Sequence, residues 1–546
     1  MKLILSLLGL LFAFASFSQV APDYYAIKFT DKDNNEYSLD VPDEFLTQRS
    51  IDRRTNQGIV YDMTDLPITE DYVAQVAEIG VEVKRRVKWI NTILVKTTNE
   101  SLIDEILALE FVESATKIAD EKTFPFVKPK NFFEVEKNTQ TPNTINDANK
   151  STSSLNYGQA FAQINLINGI PLHDMGYQGQ GMVIAVLDGG FIGVPERKVF
   201  DSLYANNQIL GSRDFASEDN DAFSGSSHGT AVLSTMAANW PGQMIGTAPK
   251  ADYWLLKTEY TPSEFVIEEY NWLVGAAFAD SVGADLINSS LSYTVFDDPE
   301  MDHSWDDLDG NSTIVTKGAD LAAKKGILVV NSAGNEGNSS WQYIGSPADG
   351  DSVFAIGAVN TSGQIAGFSS RGYPLDPRIK PNICAIGSGT TVADAYDDYI
   401  TTSSGTSFSS PTIAGMTACL WQANPGFNNQ QIMNALQLSS SQSTNPDRDY
   451  GYGIPDYEAA MGIVRAREVE KPGNSFAIYP NPATDQIFLS NIENESKLRL
   501  LDMNGRLINE YQESLNQISV ISLIPGVYIL QLINETGVST QKFIKK

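Results

Sequence analysis

Residues 181–191 read GMVIAVLDGGF. Six apolar residues, Met182 to Leu187, run without a polar break, end on Asp188 and are followed by two glycines. A strand with one wet face alternates polar and apolar side chains. An unbroken run is what a strand covered on both faces shows, and such strands belong to parallel sheets flanked by helices. ADYWLLKT (251–258), ADLINSSL (284–291), GILVVNSAGN (326–335) and DSVFAIGAV (351–359) repeat the pattern. Between them, EFVIEEYNWLVGAAFADSV (264–282) and NSTIVTKGADLAAKKG (311–326) carry helical periodicity. The alternation predicts an α/β fold, a doubly wound and mostly parallel sheet. Sites in such sheets form at the carboxyl ends of the strands.

This unit is expected over residues 156–468 of a 546-residue chain, which is long enough for several domains. Residues 1–18, MKLILSLLGLLFAFASFS, combine one lysine with an apolar run too short to span a bilayer. They read as a secretory signal peptide with cleavage before Gln19. No later segment is apolar and long enough for stable membrane insertion. Residues 19–120 read as a small α+β unit: YYAIKF and EYSLDV flank the turn-rich DKDNN as a hairpin, DYVAQVAEIGV is helical, VKRRVKWINTILVKT is extended, and SLIDEILALEFVESATKI is a helix followed by a strand. Residues 121–155 are rich in Asn, Thr, Lys, Ser and Pro and read as an exposed, cleavable linker. Residues 472–546 follow a second linker around Lys471-Pro472-Gly473 and read as a small antiparallel β-sandwich, with Asn504-Gly505 as a hairpin turn.

The formal net charge is −29, and residues 156–470 hold 14 Lys and Arg against 36 Asp and Glu. Such a surface repels phosphate backbones, which excludes nucleic acid as a partner. The two cysteines, Cys384 and Cys419, are too few for a disulfide scaffold and read as buried apolar residues, with their pairing left open.

SSGTSFSSPTIAGM (403–416) places a cluster of hydroxyls where a loop becomes an apolar helix. A serine hydroxyl becomes a nucleophile when a base takes its proton and an acid orients the base. The chain has three histidines. His228, in SSHGTAVLSTMAA, opens an apolar helix and is the candidate base; His173 and His303 read as solvated surface residues. Asp188 is the candidate carboxylate, with a turn-capping aspartate as the alternative. Asn335, beyond another buried strand, is a candidate amide donor for an oxyanion, or else a turn asparagine. Ser407, in SGTSFSSP, is the candidate nucleophile. Its own N–H, unpaired at a helix start, is a second oxyanion donor. Pro411 is placed in the first helical turn, where proline is tolerated.

VIAVLDGGF, HGTAVLSTMAA, ADLINSSLS, VVNSAGNEG and SSGTSFSSPTIAG resemble, in order and spacing, the motifs of subtilisin-like serine proteases, the subtilases. The resemblance implies Asp188, His228 and Ser407 as a catalytic triad and Asn335 as an oxyanion donor. It further implies that Ser290-Leu291-Ser292 pairs with extended substrate and that Gly334 lines a specificity pocket. The order Asp, His, Ser matches this family. Two departures stand out: Gly189 replaces the usual small polar residue, which is expected to loosen the support of Asp188, and Ser292, followed by Tyr293, replaces the usual glycine after SL, which is expected to crowd or reshape the groove. Residues 19–120 loosely resemble the inhibitory propeptides of the family. The C-terminal FAIYPNPATDQIFLS, LLDMNGRLI, GVYILQL and QKFIKK resemble sorting domains of the type IX secretion system of Bacteroidetes, whose machinery is then a partner. The expectation is a monomeric, secreted or surface-attached serine endopeptidase acting on protein or peptide substrates, made as a zymogen. It needs no cofactor for its chemistry, and a structural calcium ion is compatible with it. SEDND (217–221) and DDLDGN (306–311) are acidic loops, but neither has a full calcium-ligand pattern. The alternatives are an inactive surface-binding relative and an acid-acting serine-carboxyl peptidase, which the HGT motif disfavours.

Overall fold

The computed structural model describes residues 23–120, 153–217, 220–469, 477–490, 497–502, 506–511, 515, 517–534 and 537–546. The expected signal peptide, nearly all of the first linker, Lys471-Pro472-Gly473 and Asn504-Gly505 lie outside the described residues. Two compact units divide the chain, one through Ala460 and one from Met461.

The first unit begins with β1 (Asp23–Phe29), α1 (Gln48–Gln57), α2 (Glu70–Glu78), β2 (Glu82–Val87), β3 (Thr92–Thr97), α3 (Ser101–Leu107) and β4 (Val112–Asp120). The strands form an antiparallel sheet in the order β2-β3-β1-β4. Side chains alternate across a strand. Tyr25, Ile27 and Phe29 of β1, with Ile93 and Val95 of β3, therefore pack on Val73, Val76, Ile103 and Ile106 of α2 and α3. Ala26, Leu94 and Ile118 point the other way and join Trp272, Leu273 and Ala276 in a different core. The expected hairpin around DKDNN does not form. Both edges of β1 are taken by β3 and β4, and residues 31–41 are held as turns, with the Asn35 amide donating to the Pro67 carbonyl at 2.8 Å.

The main body contains β5 (Val183–Asp188), β6 (Ile209–Asp214), α4 (His228–Ala237), β7 (Asp252–Lys257), α5 (Ile267–Ser281), β8 (Leu286–Ser289), α6 (Ile314–Lys324), β9 (Leu328–Ser332), β10 (Phe354–Val359), β11 (Ile383–Ile386) and α7 (Thr406–Gln422). Seven strands pair in parallel in the order β11-β10-β9-β8-β5-β7-β6. The chain starts at β5, lays β6 at the far edge, fills the place between them with β7, then crosses to β8 on the other side of β5, so the topological switch lies between β5 and β8. Val183, Ala185, Leu187, Ile287 and Val329 face α5 and α6. Asn288, the next residue along β8, faces α7 and accepts from the Ser410 hydroxyl at 3.1 Å. Helices thus cover both faces, as the unbroken apolar runs require.

The N-terminal sheet leans on α5, and a buried ion cluster fixes it there. Arg53 reaches Asp280 at 2.5 Å; Arg54 reaches Asp280 at 2.6 Å and Asp65 at 2.8 Å; Lys325 reaches Asp65 at 2.6 Å. α1, which carries both arginines, is polar almost throughout, so hydrophobic periodicity gives no sign of it. Thr47 caps its start and Gly58, in the left-handed region, ends it.

The second unit holds β12 (Ala477–Tyr479), β13 (Gln486–Ser490), β14 (Lys497–Asp502), β15 (Leu507–Tyr511), β16 (Gln517–Ser519), β17 (Gly526–Asn534) and β18 (Gly537–Lys545). They form antiparallel sheets β12-β13-β16 and β15-β14-β17-β18 around Ile487, Leu489, Leu498, Leu500, Leu530 and Phe543. Among the described residues, no helix is long and apolar enough to cross a membrane.

Removing one partner from a buried ion cluster strands the others in a low dielectric. Arg54→Ala is expected to destabilise the unprocessed chain by about 3–5 kcal/mol. Urea unfolding of the intact protein measures this.

Candidate active site

Asp188 is the last residue of β5 and is fully buried. A buried carboxylate needs donors. The Gly189 N–H donates to its Oδ1 at 2.7 Å, and His228 Nδ1 stands 2.9 Å from both oxygens. This backbone N–H is one that any non-proline residue would supply, so the departure at Gly189 concerns only the missing polar side chain. His228 is 3% exposed and opens α4, all ten residues of which are buried. Gly229 permits the close approach of this helix to β5: a Cβ there would lie 2.4 Å from the Gly190 carbonyl oxygen and 3.0 Å from Asp188 Cβ.

Ser407 is the second residue of α7, a helix buried on every side through Trp421. Its hydroxyl lies 3.4 Å from the Ser290 carbonyl oxygen, and the ring of the next residue, Phe408, is 5.9 Å from the His228 ring. Pro411 is not in the first helical turn as expected. The helix starts at Thr406, which places Pro411 in its second turn. A proline there cannot donate to the carbonyl four residues back, that of Ser407. The Ser290 hydroxyl donates to it instead, at 3.0 Å. Ser290 is thus tied to Ser407 in both directions, a role its sequence neighbourhood does not signal.

Asn335 follows β9. Its Oδ1 accepts from the Thr406 N–H at 2.8 Å and the Thr406 hydroxyl at 3.0 Å, which orients the amide and leaves Nδ2 as its donor end. The Thr406 hydroxyl accepts in turn from the Gly334 N–H at 3.2 Å. Gly334 has φ +105°, where a side chain would be strained and its Cβ would meet the Ser370 hydroxyl at 2.9 Å. Ser290, Leu291, Ser292, Gly334, Asn335 and Ser407 line one cleft of about 440 Å³, counting its open mouth. Tyr293, Glu259 and Glu264 line it too. Tyr293 is buried, and its hydroxyl donates to Glu259 at 2.6 Å. The two glutamates escape a motif-based reading because they lie in an irregular segment between a strand and a helix.

The other two histidines are not solvated surface residues. His173 is buried: Nδ1 pairs with the Tyr157 hydroxyl and Nε2 with the Thr247 carbonyl, both at 2.9 Å. Burial lowers its pKa, against the pull of the Thr247 carbonyl. His303 is largely enclosed and pairs with buried Glu269. Burial alone would lower its pKa, but the bond to Glu269 and that carboxylate's charge outweigh it and raise it. Cys384 and Cys419 are free and buried, with thiol pKa values raised chiefly by burial.

The carboxylates of 306–311 are engaged locally. Asp307 accepts from Ser304, and Asp309 accepts from the N–H groups of Asn311 and Ser312 and from the Ser312 hydroxyl. Asp214, the last residue of β6, is paired with Lys257 at 2.9 Å, and Glu218 and Asp219 of the SEDND loop lie outside the described residues. Among the described residues, the 306–311 loop presents no converging set of oxygens that fits calcium.

Comparison with known families assigns the chain. A model described as "Subtilase family" matches residues 179–453, one described as "Peptidase S8 propeptide domain, Bacteroidota" matches 24–138, and one described as "Secretion system C-terminal sorting domain" matches 477–546. The chain belongs to the subtilase family. It is 32% identical over 318 residues to subtilisin E of Bacillus subtilis, covering 57% of this chain and 73% of that protein. It is 32% identical over 302 residues to the subtilisin of Bacillus pumilus, covering 54% and 97%. A solved structure of a protease from Pseudoalteromonas arctica aligns at 20% identity and a TM-score of 0.45, covering 57% of this chain and all of that one. The protein is a secreted serine endopeptidase made with a propeptide, and its sorting domain directs it through the type IX pathway to the cell surface or beyond.

Ser290→Ala removes the donor that replaces the missing proline N–H and is expected to cost about 1–3 kcal/mol. Adding Pro411→Ala, which restores a donor to the Ser407 carbonyl, should recover most of that loss. Denaturant unfolding of the single and double variants tests the pairing.

Proposed function

We propose that this endopeptidase cleaves peptide bonds through an acyl-enzyme on Ser407, with His228 as general base and Asp188 as the group that orients and charge-stabilises it. The observation that carries this reading is the contact of His228 Nδ1 with both buried oxygens of Asp188 at 2.9 Å. A carboxylate on Nδ1 makes Nε2 the nitrogen that takes a proton. The Ser407 hydroxyl gives its proton to Nε2 as its oxygen bonds to the substrate carbonyl carbon. The resulting oxyanion is met by the Ser407 N–H at the start of α7 and by Asn335 Nδ2. The imidazolium then returns the proton to the departing amine, and water repeats the cycle to free the acyl group. Ser290-Leu291-Ser292 lies along the substrate backbone, and Gly334 makes room for a side chain. Neither calcium nor any cofactor enters a step.

The chain divides, on this proposal, into a signal peptide (1–18), an inhibitory propeptide (19–120), a cleavable linker (121–155), the catalytic domain (156–468) and the sorting domain (472–546). The mature enzyme is a monomer, and it meets the type IX machinery before its protein or peptide substrates. The terminal lysines Lys542, Lys545 and Lys546 belong to the sorting segment.

A serine-directed phosphonate should label Ser407 of the secreted enzyme, as read by peptide mass spectrometry; an unlabelled Ser407 would overturn the assignment. Loss of Ser407 or His228 should lower the rate by about 10⁶, and Asn335→Ala by roughly 10²–10³, magnitudes established on a subtilisin and carried over here. His228 takes the Ser407 proton as a base, so turnover requires its imidazole to be uncharged. A profile peaking near pH 4 would contradict this.

A further inference from the structure

The cleft beside Ser407 contains a feature the reaction above does not use. Glu259, Glu264 and Glu268 bring one carboxylate oxygen each to within 4.8 Å of the others. Glu259 and Glu264 line the cleft itself. Glu259 and Glu268 are each 1% exposed. No Lys, Arg or His among the described residues forms an ion pair with any of the three.

What holds these groups accounts for only part of their capacity. Glu259 Oε1 accepts from the hydroxyls of Tyr293 and Thr258. Glu268 Oε1 accepts from the Tyr260 N–H at 2.8 Å. Glu268 Oε2 is buried and has no hydrogen-bond partner. A buried, unpartnered carboxylate oxygen beside two further carboxylates is costly unless a proton or a cation neutralises it. Burial and the neighbouring acids push Glu259 up to about 8 and raise Glu264 and Glu268 as well, so the cluster holds protons that an arriving cation would displace.

We propose that Glu259, Glu264 and Glu268 form a specificity pocket that receives a lysine or arginine side chain of the substrate near the scissile bond. This rests on the proposed acyl-enzyme chemistry at Ser407. The choice of a side-chain cation over a metal ion follows from the donor set. Calcium takes about 6–8 oxygens at close range. Here three carboxylates converge, and two already have an oxygen engaged by the protein. An ammonium offers three N–H donors and accepts nothing, and three acceptors about 2.8 Å from it stand about 4.6 Å apart. A guanidinium meets the same oxygens with its planar fork. Two of the three acids, Glu259 and Glu264, line the cleft that holds Ser407 and Asn335, where a bound peptide would lie, and Glu268 adjoins them without lining it. Tyr293 takes part as well: its hydroxyl donates to Glu259, so the residue that follows the departure at Ser292 helps to hold the acid in place.

The test uses the secreted, mature enzyme and a peptide library read by mass spectrometry. Lys and Arg should be enriched at one position near the cleaved bond. A peptide with Lys or Arg there should exceed its norleucine counterpart in kcat/KM by about 10–100-fold, the range of a charge-assisted hydrogen bond. Glu264→Gln and Glu268→Gln should each compress that ratio toward one. n-Butylammonium should compete with the basic peptide on the wild-type enzyme, a readout that needs no variant to fold. Phosphonate labelling run in parallel separates the two readings. A labelled, active enzyme with no basic preference, or with a preference that survives both substitutions, overturns the pocket and leaves the acyl-enzyme reading intact. Calcium binding to the wild type that is lost in Glu268→Gln, with no basic preference, overturns it in favour of a metal site.

Discussion

A carboxylate with no access to water sits at the centre of this protein. Asp188 closes β5, and its charge is tolerable only because one backbone N–H and one imidazole converge on it. That requirement sets the distance between β5 and α4, and the distance in turn demands a residue without a Cβ at Gly229. The imidazole is thereby held in one orientation, at the carboxyl edge of the sheet and next to the topological switch. Ser290 and Asn335 arrive at the same edge because they follow β8 and β9. The sheet topology, more than any loop, gathers the site.

The second half of the site comes from α7. A helix buried on all sides must satisfy its backbone internally, and Pro411 breaks that rule at the carbonyl of Ser407. The Ser290 hydroxyl repairs it. A residue implied by resemblance to contact substrate therefore also anchors the candidate nucleophile. Thr406 acts similarly on the other flank, where its N–H and hydroxyl set the direction of the Asn335 amide. Both supports act through fixed geometry: they hold reacting groups before substrate arrives, which lowers the reorganisation cost of catalysis.

The N-terminal unit is bound by different physics. Its sheet is apolar on both faces, one covered by its own α2 and α3 and the other by the main body's α5. Hydrophobic burial supplies the attraction, and the Arg53–Arg54–Asp280–Asp65–Lys325 cluster supplies the register. Buried ion pairs add little net stability against apolar replacements but are strongly destabilising when mispaired.

The class of fold was legible in local sequence because each apolar run longer than a strand's half-face implies coverage on both sides. The motif order of Asp188, His228 and Ser407 was legible for a similar reason: special residues at strand ends and helix starts interrupt otherwise regular patterns. The C-terminal strands were readable from their alternation. Partner choice was not. The hairpin at DKDNN looked sound locally, but β3 and β4 compete for both edges of β1 and win. His173 and His303 sit in polar surroundings in sequence, yet the chain brings Thr247 to one and Glu269 to the other. Ser290 and Ser407 are 117 positions apart, and Glu259 and Tyr293 are 34 apart. Local pattern reports how much of a residue will be covered. Only the folded chain decides by what, since the covering groups come from elements that sequence order does not bring together.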